Sequence, residues 1–167
     1  MRLQILVPQY IETDEIVKPL LDSIAIQQNV DFSDIGVIIC NDGTDVRLSD
    51  EMLRGYPYDV QYHLEPHRGV SGTRNACLDY ATADYVMFCD ADDLMEQNAV
   101  QMAVEEAKQG ADLVLMGFSI IEPDQSRSSY SEKTAWYYPN TLGQELGNLY
   151  KANLLNQVWG KLFRAEL

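Results

Sequence analysis

The sequence predicts an α/β protein in which a mainly parallel β-sheet is flanked by helices on both faces, as a three-layer sandwich. Short apolar runs alternate with segments of helical periodicity along most of the chain, which is typical of βαβ units. The 167 residues, 46% of them hydrophobic, suffice for one buried core. No internal repeat and no interdomain linker is evident, so we expect a single domain over residues 1–167.

Five apolar runs are predicted as strands. They cover residues 3–7, 36–40, 59–64, 85–89 and 111–118. The third run alternates apolar and polar side chains, which predicts a strand with one partly exposed face. The fourth is a continuous run of strand-forming residues, which predicts a buried strand.

Helices are predicted at residues 14–28, 49–54, 71–81, 96–109 and 141–153. In the first, Ile16, Leu20 and Ile24 recur at helical spacing. Ser49 and Thr141 are predicted N-caps, and Gly110 is predicted to end the fourth helix. The polar, serine-rich residues 122–133 are predicted to form a loop.

Composition limits the classes of partner. The formal charge is −14, which argues against nucleic acid and anionic membranes as main partners. No run is long and apolar enough to span a bilayer, and residues 1–5 do not resemble a signal peptide. Cys40, Cys77 and Cys89 are predicted to be reduced core residues without zinc-ligand spacing. We therefore expect a cytoplasmic protein.

Three carboxylates follow the fourth predicted strand within four positions, at Asp90, Asp92 and Asp93. Carboxylates this close repel one another unless protons or a cation offset their charge. Mg²⁺ and Mn²⁺ prefer such oxygen ligands and often share them with substrate phosphates. The alternative is a polar turn in which Asp92 or Asp93 is the N-cap of the next helix.

Polar clusters also follow the other parallel strands. They are residues 8–10, 41–44 and 67–69, the last leading into Arg74. Each cluster alone has an ordinary explanation as a turn, a packing aromatic or a surface charge. Because ligands of open α/β sheets bind outside the carboxyl ends of the strands, we expect all of them at one edge, beside Asp90 and Asp92.

These residue types suit a nucleoside diphosphate. Tyr10 can stack on a base, and Asp42 can accept a hydrogen bond from a base imide N–H. Gly69 lies near the start of a helix whose N–H groups favour phosphate, and Arg74 can pair with a phosphate oxygen. The chain lacks the P-loop pattern, and it lacks G-x-G-x-x-G after the first strand.

The motifs together resemble the family-2 glycosyltransferases of the GT-A fold, over nearly the whole chain. Residues 7–11 are similar to V-P-x-Y-N, 41–44 to D-D-G-S/T, 67–75 to N-x-G-x-x-x-A-R-N, 90–93 match D-A-D-D, and 159–164 are similar to W-x-K-L-F/Y-R. The chain departs from these patterns at Ile11, Asn41 and His67.

The resemblance implies transfer of a sugar from a nucleotide-sugar donor, most often a UDP-sugar, to an acceptor hydroxyl, with Mn²⁺ or Mg²⁺. It implies that the donor binds at Pro8, Tyr10, Glu12, Asp42, Gly69, Arg74, Asp90 and Ala91. Asp92 is the main expected metal contact, with Asp90 beside it and nearer the ribose or sugar.

Inverting members of that family use a carboxylate base downstream of the W-x-K-L-F-R segment. The chain stops at Leu167, so we expect a domain truncated before the acceptor and base region, and we assign no catalytic base. A non-catalytic nucleotide-sugar-binding module is the alternative, and a nucleotidyltransferase is a third hypothesis. The apolar segment 154–163 is expected to fold back onto the sheet or to contact another subunit or a missing domain.

Overall fold

The computed structural model describes residues 1–131 and 135–166. The central sheet has six strands in the order β3-β2-β1-β4-β8-β5. Their bounds are β1 Leu3–Gln9, β2 Ile35–Asp42, β3 Asp59–Glu65, β4 Tyr85–Phe88, β5 Leu113–Leu115 and β8 Lys161–Arg164. β3, β2, β1 and β4 are parallel to one another, and β8 runs antiparallel between β4 and β5. The predicted mainly parallel sheet is confirmed.

Helices cover both faces of this sheet. α1 (Asp14–Ala25), α2 (Gly69–Tyr80) and α3 (Ala99–Lys108) do so, and α4 (Pro139–Lys151) follows later in the chain. Leu20 of α1 and Ala103 of α3 share a buried cluster with Ile5 and Val37. On the opposite face, Cys77 of α2 packs with the other alternate residues of the strands. The alternation of side chains along β1 and β2 therefore separates two cores, as a three-layer sandwich requires.

The strand order places one crevice at a defined edge. The chain builds outward from β1 through β2 to β3, then returns to place β4 on the other side of β1. Such a reversal separates the loops that follow β1 and β4, which leaves room for a ligand at the carboxyl ends of the strands. The loops that carry the predicted site residues begin there.

The apolar segment near the end folds back onto the sheet. β8 is inserted between β4 and β5, and Leu162 is fully buried in the larger core. Trp159 is half-buried, with its ring edge against Phe118 at a centroid distance of 4.8 Å. The first of the two alternatives for this segment is thus confirmed for β8, whereas a contact with another subunit stays a prediction.

Three predictions of local structure were wrong. Residues 49–54 form turns rather than a helix, since Gly55 follows at a φ of 89° and ends the segment. The predicted strand 111–118 is two strands, β5 and β6 (Phe118–Ile121). The serine-rich loop contains β7 (Arg127–Tyr130), which pairs antiparallel with β6 and stacks Tyr130 on Phe118. Residues 132–133 of the predicted loop lie outside the described residues.

Three helix starts also differ from the prediction, and the first is that α2 begins at Gly69 rather than at residue 71. α4 begins at Pro139 with Tyr138 as N-cap, and Thr141 lies inside its first turn, because proline is well tolerated at the first helical position. α3 begins at Ala99 with Asn98 as N-cap, so the alternative of Asp92 or Asp93 as its cap is wrong.

Across residues 1–131 and 135–166, none of the helices has the length and apolar character needed to cross a membrane.

Candidate functional site

Four loops at the carboxyl edge of the sheet enclose one pocket of about 460 Å³. This volume lies within the usual range for small-molecule sites. The residues that line it are Pro8, Gln9, Tyr10, Glu12, Asp42, His67, Gly69, Val70, Thr73, Arg74, Asp90, Ala91 and Asp92. The structure thus brings together every residue that the sequence predicted for the donor and metal sites.

The loop after β1 supplies an aromatic wall. Tyr10 is 48% exposed, and its ring centroid lies 5.5 Å from that of His67 at an interplanar angle of 33°. The Glu12 carboxylate turns back to accept a hydrogen bond of 2.6 Å from the Tyr10 backbone N–H. One ring face at this end of the pocket is therefore available for stacking.

Asp42, the last residue of β2, is only 4% exposed and is held from two sides. Its Oδ1 accepts a hydrogen bond of 2.7 Å from the Arg68 backbone, and its Oδ2 lies 3.1 Å from His67 Nδ1. Burial alone would raise the pKa of this carboxyl, but hydrogen bonds from the Arg68 backbone and the Thr73 hydroxyl outweigh it and lower the pKa. Asp42 is therefore an ionised, fixed acceptor on the pocket wall.

Arg74 extends from the second turn of α2 toward the end of β4. Its Nη2 donates to Asp90 Oδ1 at 2.7 Å, in a partly buried ion pair. Within the described part of the chain, the buried Nε of Arg74 has no hydrogen-bond partner. A cation with an unused donor at a pocket wall suits an anionic ligand.

The carboxylates after β4 repel one another as the sequence suggested. Burial, then the neighbouring charges of Asp90 and Asp92, raise the pKa of Asp93 from 3.8 to about 6. Among residues 1–131 and 135–166, His, Cys, Asp and Glu side chains form no group of three or more that could hold a metal ion. Asp90 and Asp92 line the pocket, whereas Asp93 does not.

The raised pKa of Asp93 predicts a pH-dependent cost of folding. An acid that ionises less readily when folded lowers stability as the pH rises from about 4 to 6. We therefore expect Asp93→Asn to raise the unfolding free energy by about 1–2 kcal/mol at pH 7.5 and by little at pH 4, after allowance for solvent screening. Urea denaturation at both pH values measures this difference. Asp50→Asn, at an exposed site, is the control, and an equal gain at both pH values would contradict the prediction.

Sequence reasoning missed three lining residues as donor contacts: Gln9, Val70 and Thr73. Val70 and Thr73 follow Gly69 by one and four positions on α2, so helical spacing from Gly69 could have indicated them. His63 lies outside this pocket and stacks on Tyr80, with ring centroids 3.6 Å apart. Cys40, Cys77 and Cys89 are buried and free, as predicted.

Comparisons with known proteins agree with this architecture. A sequence model of the family described as Glycosyl transferase family 2 matches residues 4–164. Glycosyltransferase GlyA of Streptococcus pneumoniae serotype 4 is 26% identical over 186 residues, which cover 99% of this chain and 25% of GlyA.

Two solved structures share the fold. S. aureus TarS 1–349 in complex with UDP has a TM-score of 0.75 at 19% identity, over 99% of this chain and 47% of that one. Mannosyltransferase PcManGT from Pyrobaculum calidifontis, in complex with GDP-Man and Mn²⁺, has a TM-score of 0.56 at 21% identity, over 69% of this chain and 35% of that one. The chain thus spans a quarter of GlyA and about half of the TarS chain. The fold is the GT-A fold of these enzymes, and because the family model covers nearly all of the sequence, the chain belongs to glycosyltransferase family 2.

Proposed function

We propose that this pocket binds a UDP-sugar and that the protein transfers the sugar to an acceptor hydroxyl, with UDP as the leaving group. The observation that carries the proposal is the convergence of Tyr10, Asp42, Arg74, Asp90 and Asp92 on one pocket of about 460 Å³. In this proposal Tyr10 stacks on the base, Asp42 accepts from its imide N–H and Arg74 pairs with phosphate. Asp90 and Asp92 would bind the cation. The solved structure of TarS 1–349, which shares the fold, is a complex with UDP.

The two ends of the pocket suit the two ends of the donor. The base would stack on the exposed ring of Tyr10 and donate its imide N–H to Asp42, which is ionised and fixed. The diphosphate would lie toward the first turns of α2, where Gly69 and Arg74 line the pocket. Arg74 would then exchange part of its pairing with Asp90 for phosphate oxygens.

We further propose a divalent cation, Mn²⁺ or Mg²⁺, at Asp90 and Asp92. Their carboxylate oxygens are ligands that such ions prefer. Burial, then the charges of Asp90 and Asp92, raise the pKa of Asp93, and a cation would relieve the second of these causes. Two protein carboxylates leave the remaining positions to diphosphate oxygens and water. The bound ion would neutralise the charge that develops on the leaving diphosphate.

In this reaction the acceptor oxygen forms a bond to the anomeric carbon of the donor, the bond from that carbon to the diphosphate oxygen breaks, and the proton of the acceptor hydroxyl passes to a general base. Arg74 would stabilise the charge on the leaving oxygen from the protein side. The sugar, the acceptor and the general base stay unassigned. A cytoplasmic location is part of this proposal, supported by the three free, buried thiols.

Calorimetric titration of UDP, with and without Mn²⁺, tests the donor site. We expect binding that Mn²⁺ strengthens, and we expect Asp92→Asn to abolish the Mn²⁺-dependent part, because one of two carboxylate ligands is lost. Asp50→Asn, which removes an exposed charge outside the lining of the pocket, should bind like the wild type. Absence of UDP binding in every condition would overturn the donor-site proposal.

A second assay separates an enzyme from a binding module. Release of UDP from a UDP-sugar in the presence of a hydroxyl acceptor is expected for a glycosyltransferase. Metal-dependent UDP binding without such release from any donor and acceptor pair would favour the non-catalytic module for this length of chain.

A further inference from the structure

Two buried amide side chains lie at the end of the pocket that we propose for the base, and one of them, Gln9, lines its wall. Gln9 ends β1 and is 1% exposed, and Asn41 lies near the end of β2 and is fully buried. β1 and β2 pair in a register that places these two residues opposite each other. Asn41 Nδ2 donates to Gln9 Oε1 at 2.6 Å. Buried amides at such positions are costly unless each of their donors and acceptors is paired.

The Gln9 amide is fully paired, and its partners come from three segments. Its Nε2 donates to the Glu12 carbonyl at 2.9 Å and to the Val46 carbonyl at 3.3 Å. Its Oε1 accepts from Asn41 and, at 3.2 Å, from the Tyr62 hydroxyl. One side chain thus joins the loop after β1, the loop after β2 and the strand β3.

Asn41 fixes the loop after β2 in the same way. Its Nδ2 also donates to the Val46 carbonyl at 2.8 Å, and its Oδ1 accepts from the Thr44 backbone at 3.0 Å and from Arg47 at 2.8 Å. The Thr44 hydroxyl in turn donates to the Tyr10 carbonyl. The loop that carries Tyr10 is therefore tied to residues 44–47 at several points.

We propose that Gln9 and Asn41 are positioning residues for the base-binding end of the donor site. They do not need to touch the donor, because their amides hold the Tyr10–Glu12 loop and the residues after Asp42 in one arrangement. This inference rests on the proposed function, since it concerns the same pocket. It adds that base affinity depends on hydrogen-bond donation from position 9 to the carbonyl of Glu12.

The variant Gln9→Glu removes that donation with almost no change of shape. An ionised carboxylate still accepts from Asn41 and Tyr62, but it faces the carbonyls of Glu12 and Val46 without a proton to offer. Two charged residues are joined to this amide pair by hydrogen bonds, Glu12 through its backbone carbonyl and Arg47 through Asn41 Oδ1, and the ionised Asp42 lines the same pocket. When protonated, the carboxyl can donate to a carbonyl again, so the defect should be greatest at high pH and smaller at low pH.

The experiment compares UDP and inorganic pyrophosphate, each with Mn²⁺, by calorimetry at pH 5.5 and 8. For Gln9→Glu at pH 8 we expect UDP affinity to fall about 10- to 100-fold relative to the wild type, the range for an unpaired buried acceptor. Pyrophosphate affinity should change less than threefold. At pH 5.5 the ratio of wild-type to variant UDP affinity should shrink. Gln97→Glu is the control, because its side chain accepts one hydrogen bond from Gln28 and a carboxylate accepts it equally well.

Gln9→Met provides a second variant of similar size without polar atoms. It should weaken UDP binding at both pH values and increase amide hydrogen exchange at residues 10–12 and 44–47. A parallel loss of UDP and pyrophosphate binding, or unchanged UDP binding with either folded variant, would overturn the positioning role. Failure of the wild-type protein to bind UDP would instead count against the proposed function itself.

Discussion

Replacing Arg74 by glutamine should weaken UDP binding about 100-fold, equivalent to about 2.7 kcal/mol, while uridine binding changes little. Arg74 is a cation of the pocket wall whose Nη2 contacts Asp90 and whose buried Nε lacks a partner within the described residues. The guanidinium would exchange part of its pairing with Asp90 for a charge-assisted hydrogen bond to the diphosphate, whereas a nucleoside has no charge to place there. The difference between the two ligands therefore isolates the diphosphate contact.

Isothermal calorimetry with UDP, uridine and pyrophosphate measures how much affinity for each ligand the substitution removes. Arg54→Gln is the matched control, since that arginine is exposed, pairs with Asp50 four positions away on the surface, and lies outside the pocket. Because the Arg74–Asp90 ion pair is partly buried, its loss should lower the unfolding free energy by about 1–3 kcal/mol, so folding of the variant is checked by urea denaturation before titration. An equal loss of affinity for uridine and UDP would contradict a diphosphate role for Arg74.

Replacing Gly43 by alanine should lower the unfolding free energy by about 3–4 kcal/mol and abolish UDP binding. Gly43 adopts a φ of 71°, which costs other residues about 1–2 kcal/mol. A Cβ there would lie 2.3 Å from the His67 backbone nitrogen and 2.9 Å from its Cα, and overpacking against backbone adds about 1–3 kcal/mol. The alanine must displace the His67 loop, which carries one wall of the pocket.

Urea denaturation of Gly43→Ala and Gly55→Ala separates the two contributions. Gly55 has a φ of 89°, but no atom lies within 4 Å of its added Cβ, so its variant should lose only the conformational part of about 1 kcal/mol. UDP titration of both proteins then tests the pocket, and Gly55→Ala should bind normally. Equal stability losses in the two variants would show that the His67 contact does not constrain position 43.

Much of the candidate site could be predicted because sequence order fixes it. In a parallel sheet, the residues that follow each strand arrive at one edge, so Tyr10, Asp42 and Asp90 had to converge once the strands were identified. Gly69 and Arg74 are five positions apart on α2, so their presence at the same edge could also be predicted from the sequence. These predictions depended on short-range periodicity and on a general rule of chain connectivity.

Two features were predicted wrongly, one because it depends on a partner distant in the sequence and one because of the residue that directly follows it. The strand β7 is rich in serine and has weak intrinsic strand propensity, yet pairing with β6 and stacking of Phe118 on Tyr130 stabilise it. Residues 49–54 contain a good N-cap in Ser49, but the turn does not propagate into a helix. Pairing with β6 explains why β7 forms. Gly55, which follows at a positive φ, explains why residues 49–54 end as turns.

By itself, the sequence determined the layered α/β class, the four loops of the pocket and nine of the thirteen residues that line it, because hydrophobic periodicity and the residues that follow each strand can be read locally. Only the tertiary structure decided that β8 enters the sheet antiparallel between β4 and β5, since that position depends on long-range packing of Leu162. The roles of Gln9 and Asn41 were equally hidden. In the sequence, a glutamine and an asparagine near turns have no distinguishing feature. Their proposed role follows from burial: an amide that cannot reach water must find its hydrogen-bond partners on other segments of the chain.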